Sequence, residues 1–97
     1  MELITLDYPA EEAISRRAHV GVVGSGDLEV LLEPSKDHQA HVRICTSVDG
    51  YGAIWKNVLD RFFSRYKGAA AIQINDFGAT PGIVMLRLQQ AVEEGQS

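Results

Sequence analysis

The residues of this chain that could do chemistry begin with Gly24-Ser25-Gly26-Asp27, where a serine hydroxyl lies between two residues that carry no side chain. A hydroxyl placed in that way can be enclosed by another protein's active site, which is what covalent modification requires. The plain structural reading of the same tetrad is a hairpin turn, with glycines supplying positive φ and Ser and Asp making local turn hydrogen bonds. A hydrolase needs more. Gly-x-Ser-x-Gly is absent, because the spacing is Gly-Ser-Gly, and no neighbouring base is marked for the hydroxyl. His19, His38 and His41 do not form His-Glu-x-x-His, and the lone Cys45 cannot form a Cys-x-x-Cys pair. The histidines read as solvated surface residues, and neither a metal site nor a catalytic set follows from these residues.

Further candidates each have a structural alternative. Asp76-Phe77-Gly78 spells the magnesium-binding tripeptide of protein kinases, but the glycine-rich loop, strand lysine and catalytic loop that give those letters meaning are missing. The longer run Asp76-Phe77-Gly78-Ala79-Thr80-Pro81-Gly82 could turn free helix N–H groups toward an anion. It also reads as a strand-to-helix turn with a threonine cap, since the Lys and Ser/Thr of a phosphate loop are missing. Glu29 and Glu33, with Asp27 beside the turn, could be a general acid/base set; a solvated strand face or a docking face for basic partners explains them as well. Trp55, Phe62 and Phe63 read as core before ligand platform.

The elements that must position these residues follow from periodicity. Residues 2 to 8 alternate, with Ile4, Leu6 and Tyr8 opposite Thr5 and Asp7, before Pro9 removes a donor: an edge strand. Residues 9 to 17 have mixed charge and weak periodicity and read as a linker, with room for a short helical turn. Ala18 to Val23 and Leu28 to Leu32 form the arms of a hairpin around the tetrad. Pro34 to Gln39 is a polar loop, and Ala40 to Val48 a further strand in which Cys45 reads as a packed thiol. After Asp49-Gly50-Tyr51-Gly52 the period changes to about 3.6. Ile54, Trp55, Val58, Leu59, Phe62, Phe63 and Tyr66 then mark an amphipathic helix of about four turns, with Gly68 as its stop. Ala70 to Asp76 returns to a strand, and Thr80-Pro81 caps a second helix running from Ile83 past Val92. The expected fold is α+β: a mostly antiparallel sheet of about five strands with two C-terminal helices packed on one face.

Length and charge restrict what such a fold can do. The chain has 97 residues, 45% of them hydrophobic and 23% charged, which describes one compact soluble domain over residues 1–97. A chain of this size buries only roughly 60 to 68% of its unfolded surface, so little apolar material can be diverted to a deep substrate cleft. Nine Lys plus Arg against 13 Asp plus Glu leave a net charge of −4, the wrong sign for a nucleic-acid binder. The start Met1-Glu2-Leu3-Ile4-Thr5-Leu6-Asp7 lacks the positive region of a secretory signal, and no apolar stretch approaches the roughly 18 residues of a spanning helix. No membrane association is expected, and a cytoplasmic location is. The single cysteine requires no oxidising compartment.

Three blocks carry a resemblance: residues Gly21 to Pro34, which include the tetrad, Thr46-Ser47-Val48-Asp49-Gly50, and Asn75-Asp76-Phe77-Gly78-Ala79-Thr80-Pro81-Gly82. Together they closely resemble the acyl carrier (delta) subunit of bacterial malonate decarboxylase, and the resemblance spans essentially the whole chain. It implies that Ser25, supported by Gly24, Gly26 and Asp27, carries 2′-(5″-phosphoribosyl)-3′-dephospho-coenzyme A through a phosphodiester. The terminal thiol of that arm would carry acetyl, exchanged for malonyl by an acetyl/malonyl transferase subunit; carboxyltransferase-like decarboxylase subunits would then release carbon dioxide and regenerate the acetyl carrier. A nucleotidyltransferase-type holo-carrier synthase would attach the arm, with pyrophosphate leaving. The resemblance also implies a non-catalytic carrier that is not the four-helix bundle of fatty-acid carriers, whose attachment point reads Asp-Ser-Leu. Ser25-Gly26-Asp27-Leu28 differs from that motif, which favours the longer arm. A covalent arm fits the residues physically, because tethering raises the effective concentration of an acyl group at partner sites. Two other functions remain open on the residues alone: a non-catalytic α+β interaction or small-ligand-binding module in which Ser25 is only a turn residue, and the related carrier subunit of citrate lyase.

Overall fold

Alternation along residues 2 to 9 produces the first strand, β1 (Glu2–Pro9), in which Ile4, Leu6 and Tyr8 turn toward the interior and Leu3, Thr5 and Asp7 stay exposed. In the computed structural model, residues 2–14, 17–20, 28–47 and 50–96 are described. They form β2 (Glu12–Ala13), β3 (Ala18–Val20), β4 (Leu28–Pro34), β5 (Gln39–Thr46), α1 (Gly52–Phe63), β6 (Gly68–Asp76) and α2 (Pro81–Gln96) after β1. The sheet order is β1-β5-β6-β4-β3, with β2 pairing the first residues of β6. The β1–β5, β4–β6 and β3–β4 ladders are antiparallel. The central β5–β6 ladder is parallel, because α1 carries the chain back across the sheet between these two strands. The expected α+β fold is therefore present, with two helices and a mostly antiparallel sheet, and it is not a helical bundle.

One face of the sheet is apolar in every long strand. Leu28, Val30 and Leu32 of β4, Ala40, Val42 and Ile44 of β5, and Ala70, Ile72 and Ile74 of β6 are all at most 2% exposed. Both helices lie on this face: α2 against β3 and β4, and α1 beside α2 and toward β1. Trp55, Leu59, Phe62 and Phe63 fill one side of α1, and Val84, Leu88 and Ala91 one side of α2. Tyr8 stacks on Phe63 with ring centroids 4.3 Å apart, and its hydroxyl donates to Asp60 Oδ1 at 2.7 Å, which joins β1 to α1 by packing and hydrogen bonding together. Lys56 Nζ donates to Asp60 Oδ2 at 2.7 Å one turn away. Trp55, Phe62 and Phe63 are thus core, as their spacing indicates.

Three elements differ from the sequence reading. The linker over 9 to 17 contains β2: Glu11 and Glu12 N–H groups donate to the Lys67 carbonyl at 2.8 and 3.0 Å, and Ile14 packs into the core. Two residues of pairing leave no periodic trace in a sequence. The first helix stops at Phe63, about one turn early, and Gly68 opens β6 instead of ending a helix. A Cβ on Gly68 would collide with the Tyr66 ring and approach Ile14 Cγ2 to 2.9 Å, so the glycine permits a close crossing. The third difference is Cys45, which sits half-exposed on the uncovered face between Leu3 and Asn75, while its neighbour Ile44 takes the core position.

Candidate functional site

The tetrad Gly24-Ser25-Gly26-Asp27 lies outside the described residues, as do Val22, Val23, Val48 and Asp49. Its place in the chain is nevertheless tied to the sheet, since Leu28 begins β4 and pairs with Asp76, the last residue of β6. On the other side of Asp76 stands Thr46, the last residue of β5. One end of the sheet therefore gathers the start of β4, the ends of β5 and β6, and the starts of both helices.

Asp76 organises that end. Its side chain is 5% exposed, and Thr46, fully buried, donates its hydroxyl to Oδ2 at 2.8 Å. Oδ1 accepts the backbone N–H groups of Gly78 at 3.1 Å and Ala79 at 2.8 Å. The carboxylate thus closes a tight turn directly after the strand, for which Gly78 adopts φ +110°, a conformation that side chains rarely allow. The Asp76 carbonyl accepts from Ser47 N–H at 3.2 Å and holds the exit of β5. Thr80 then caps α2: the Val84 N–H reaches its carbonyl at 3.0 Å and the Ile83 N–H its Oγ1 at 3.4 Å. The run from Asp76 to Gly82 is therefore the capped strand-to-helix turn of the structural alternative.

Between this turn and α1 opens a cleft of about 250 Å³. Thr46 and Asp76 supply its polar part, and Ile54, Trp55, Ala79 and Val84 most of its apolar wall. Tyr51 (48% exposed) and Ile54 (44%) line it, and Phe77 (42%) lies in the chain between its lining residues Asp76 and Gly78. The sequence pointed to Trp55 and to the Asp76 connector separately. It named Thr46 in a distinctive block but pointed neither to its bond with Asp76 nor to the cleft, because the approach of β5, β6 and α1 is made by pairing and packing across 30 residues of chain.

The remaining candidates are not brought together here. Glu29 lies beside Asn75 on the face away from the helices, yet it is only 7% exposed and accepts from Asn75 Nδ2 at 2.7 Å, so it is a buried, partnered acid and not a solvated one. Glu33 is exposed and meets Arg17 at 3.5 Å. The two acids point to different partners and form no acid/base pair. His38 is exposed, with φ 61° in the loop between β4 and β5. His41 is less free than a solvated histidine: Nδ1 lies 2.6 Å from Asp7 and Nε2 2.6 Å from Asp37. Two flanking carboxylates, Asp7 first, raise its pKa above the usual 6.5. Asp37 is lowered to about 2, chiefly by the Ser35 hydroxyl and then by His41. Among the described residues no three His, Cys, Asp or Glu side chains gather as a metal site, and no helix is long and apolar enough to cross a membrane.

An α+β sheet covered on one face, with a cleft at the end from which β4 starts, sets the class apart from helical carriers. Comparison with known proteins gives the family. Residues 15–95 match the family model "Malonate decarboxylase delta subunit (MdcD)". Malonate decarboxylase acyl carrier proteins of Pseudomonas paraeruginosa and Azotobacter vinelandii are 50% and 46% identical, each alignment covering 97% of this chain and 96% of the relative. A chain from the crystal structure of a Pseudomonas malonate decarboxylase hetero-tetramer in complex with malonate superposes with a TM-score of 0.91 at 46% identity, covering 97% of this chain and 98% of that one. The chain belongs to the malonate decarboxylase delta subunit family, whose members are acyl carriers rather than catalytic subunits.

Proposed function

We propose that this chain, as one carrier domain over residues 1–97, carries acetyl and malonyl groups for a cytoplasmic malonate decarboxylase, with Ser25 as the attachment residue for 2′-(5″-phosphoribosyl)-3′-dephospho-coenzyme A. That group supplies a terminal thiol on which an acyl group is held as a thioester. The chain supplies the hydroxyl of Ser25, access to it through the side-chain-free neighbours Gly24 and Gly26, and a stiff sheet behind it, to which Asp27 leads directly. One observation above the others supports this reading: the tetrad immediately precedes β4, whose first residue pairs with Asp76 beside the cleft. The residues at that end fit such a group. The cleft wall is largely apolar, and both oxygens of its acidic residue, Asp76, are already engaged by Thr46, Gly78 and Ala79.

The partners in this reading are an acetyl/malonyl transferase subunit, carboxyltransferase-like decarboxylase subunits and a holo-carrier synthase. The relative found in a hetero-tetramer supports an assembly of this kind. A net charge of −4 favours basic docking surfaces on them. Intact-mass spectrometry after co-expression with the synthase tests the attachment: a single adduct of dephospho-coenzyme A plus phosphoribosyl is expected, and it should vanish in Ser25→Ala. An adduct surviving that substitution, or none on the native chain, overturns the assignment; unchanged partner-dependent activity in Ser25→Ala would favour the simple interaction module.

A further inference from the structure

Five large apolar side chains are left exposed among the described residues, and three of them, Tyr51, Ile54 and Phe77, stand together at the end of the molecule where the cleft opens, while Leu3 and Leu86 lie outside it. Apolar surface of this kind next to a formed cavity marks a place that something covers. The tether identifies the occupant. Only Gly26 and Asp27 separate Ser25 from Leu28, three Cα–Cα steps, so whatever the conformation between them the serine lies within about 11 Å of Leu28. Leu28 is in turn one strand, about 4.8 Å, from Asp76 in the cleft. An arm rooted at that serine therefore starts no more than about 16 Å from Asp76, a span that a coenzyme-A-like arm can cover.

We propose that the cleft between α1 and the Asp76–Gly82 turn is a resting site for the neutral amide-and-thioester end of the prosthetic arm, which keeps the thioester away from water between visits to partner subunits. The proposal rests on the assignment of Ser25 as attachment residue. Chemistry decides which part of the arm enters. The phosphates are disfavoured there, since the Thr46 hydroxyl and the Gly78 and Ala79 N–H groups are already spent on Asp76, and the Asp76 carboxylate itself is an anion that a phosphate would have to approach. The pantetheine end carries no charge and exposes methyl and methylene groups, which match Ile54, Trp55, Ala79 and Val84. Its amides can meet water at the open mouth, so no polar group of the arm is stranded.

Holo-carrier made by co-expression with the synthase, checked by intact mass and loaded with ¹³C-acetyl, provides the test. Relative to the apo chain, amide resonances of Ile54, Trp55, Gly78 and Ala79 should shift, and the acetyl and gem-dimethyl protons should show contacts to Trp55 and Val84. Shifts confined to residues 21–28 in a fully loaded sample overturn the resting site and leave the attachment intact. No adduct in the mass spectrum overturns the attachment and the resting site with it. In a second arm, Ile54→Asp changes an exposed side chain, and its circular dichroism should match the native chain. Acetyl-thioester hydrolysis should then be several-fold faster in this variant, and equal half-lives count against the proposal. If the cleft resonances move only on adding a partner subunit, and equally in apo and holo chains, the cleft is a protein-docking surface instead.

Discussion

Asp76 shows how much one carboxylate decides at the residue scale. It ends β6, fixes the Gly78–Ala79 turn and anchors Thr46, so its loss would leave backbone donors without their partner in a largely buried place. Asp76→Ala should destabilise the fold by about 2–3 kcal/mol in urea denaturation, within the range for stranding buried polar groups. A loss below half of that would mean the turn finds other partners. His41 makes a different prediction. Its pKa is raised in the fold by Asp7 and Asp37, so its stabilising effect is complete below the unfolded value of about 6.5 and disappears as pH rises through the raised folded value. The thermal midpoint of the native chain should fall across that window, while His41→Ala should be flat there. The sequence identified His41 as surface, which it is, but pairing of β1 with β5 puts Asp7 opposite it, and no local pattern encodes that neighbour.

At the scale of elements, the junction between α1 and β6 depends on a crossing that the sequence concealed. A helical period that includes Tyr66 extends one turn beyond the real end, because Tyr66 is apolar for a tertiary reason: its ring folds over Gly68 and against Phe62 and Phe63. Gly68→Ala should therefore cost about 1–3 kcal/mol through steric overlap, measured by chemical denaturation. The Tyr66 hydroxyl is buried with no hydrogen-bond partner among the described residues, and burial raises its pKa. Tyr66→Phe should accordingly leave stability unchanged or slightly higher, and a clear loss would reveal a partner for the hydroxyl. The long strands and α2 were legible for the opposite reason, since alternation of period two and a Thr-Pro start are local signals that the packed protein keeps.

For the whole molecule, both helices of the described residues lie on one face of the sheet, and their 12 and 16 residues in a chain of 97 correspond to a helical circular dichroism of about a third. A value above half would contradict the fold. The opposite face presents Asp7, His41, Arg43, Gln73 and Glu33 in a shallow groove of mixed charge. With a net charge of −4, association with basic partner surfaces should weaken as salt rises from about 0.05 to 0.5 M, because screening shortens to a few ångströms. Binding that does not respond to salt would place the energy of docking in apolar contacts such as Tyr51, Ile54 and Phe77.

The sequence by itself determined the fold class, the alternating strands, the capped second helix and the family, because each depends on residue types at short fixed spacings. It also singled out Ser25, whose small neighbours and distinctive block are local features. Only the tertiary structure decided that β5 and β6 run parallel, that Glu29 is buried beside Asn75 and that β2 exists. The same holds for the joining of Thr46 and Asp76 beside a cleft at the sheet end where the serine's tether begins. These outcomes depend on strand order and on side chains meeting across tens of residues, where packing and hydrogen bonding select one arrangement that local periodicity leaves open.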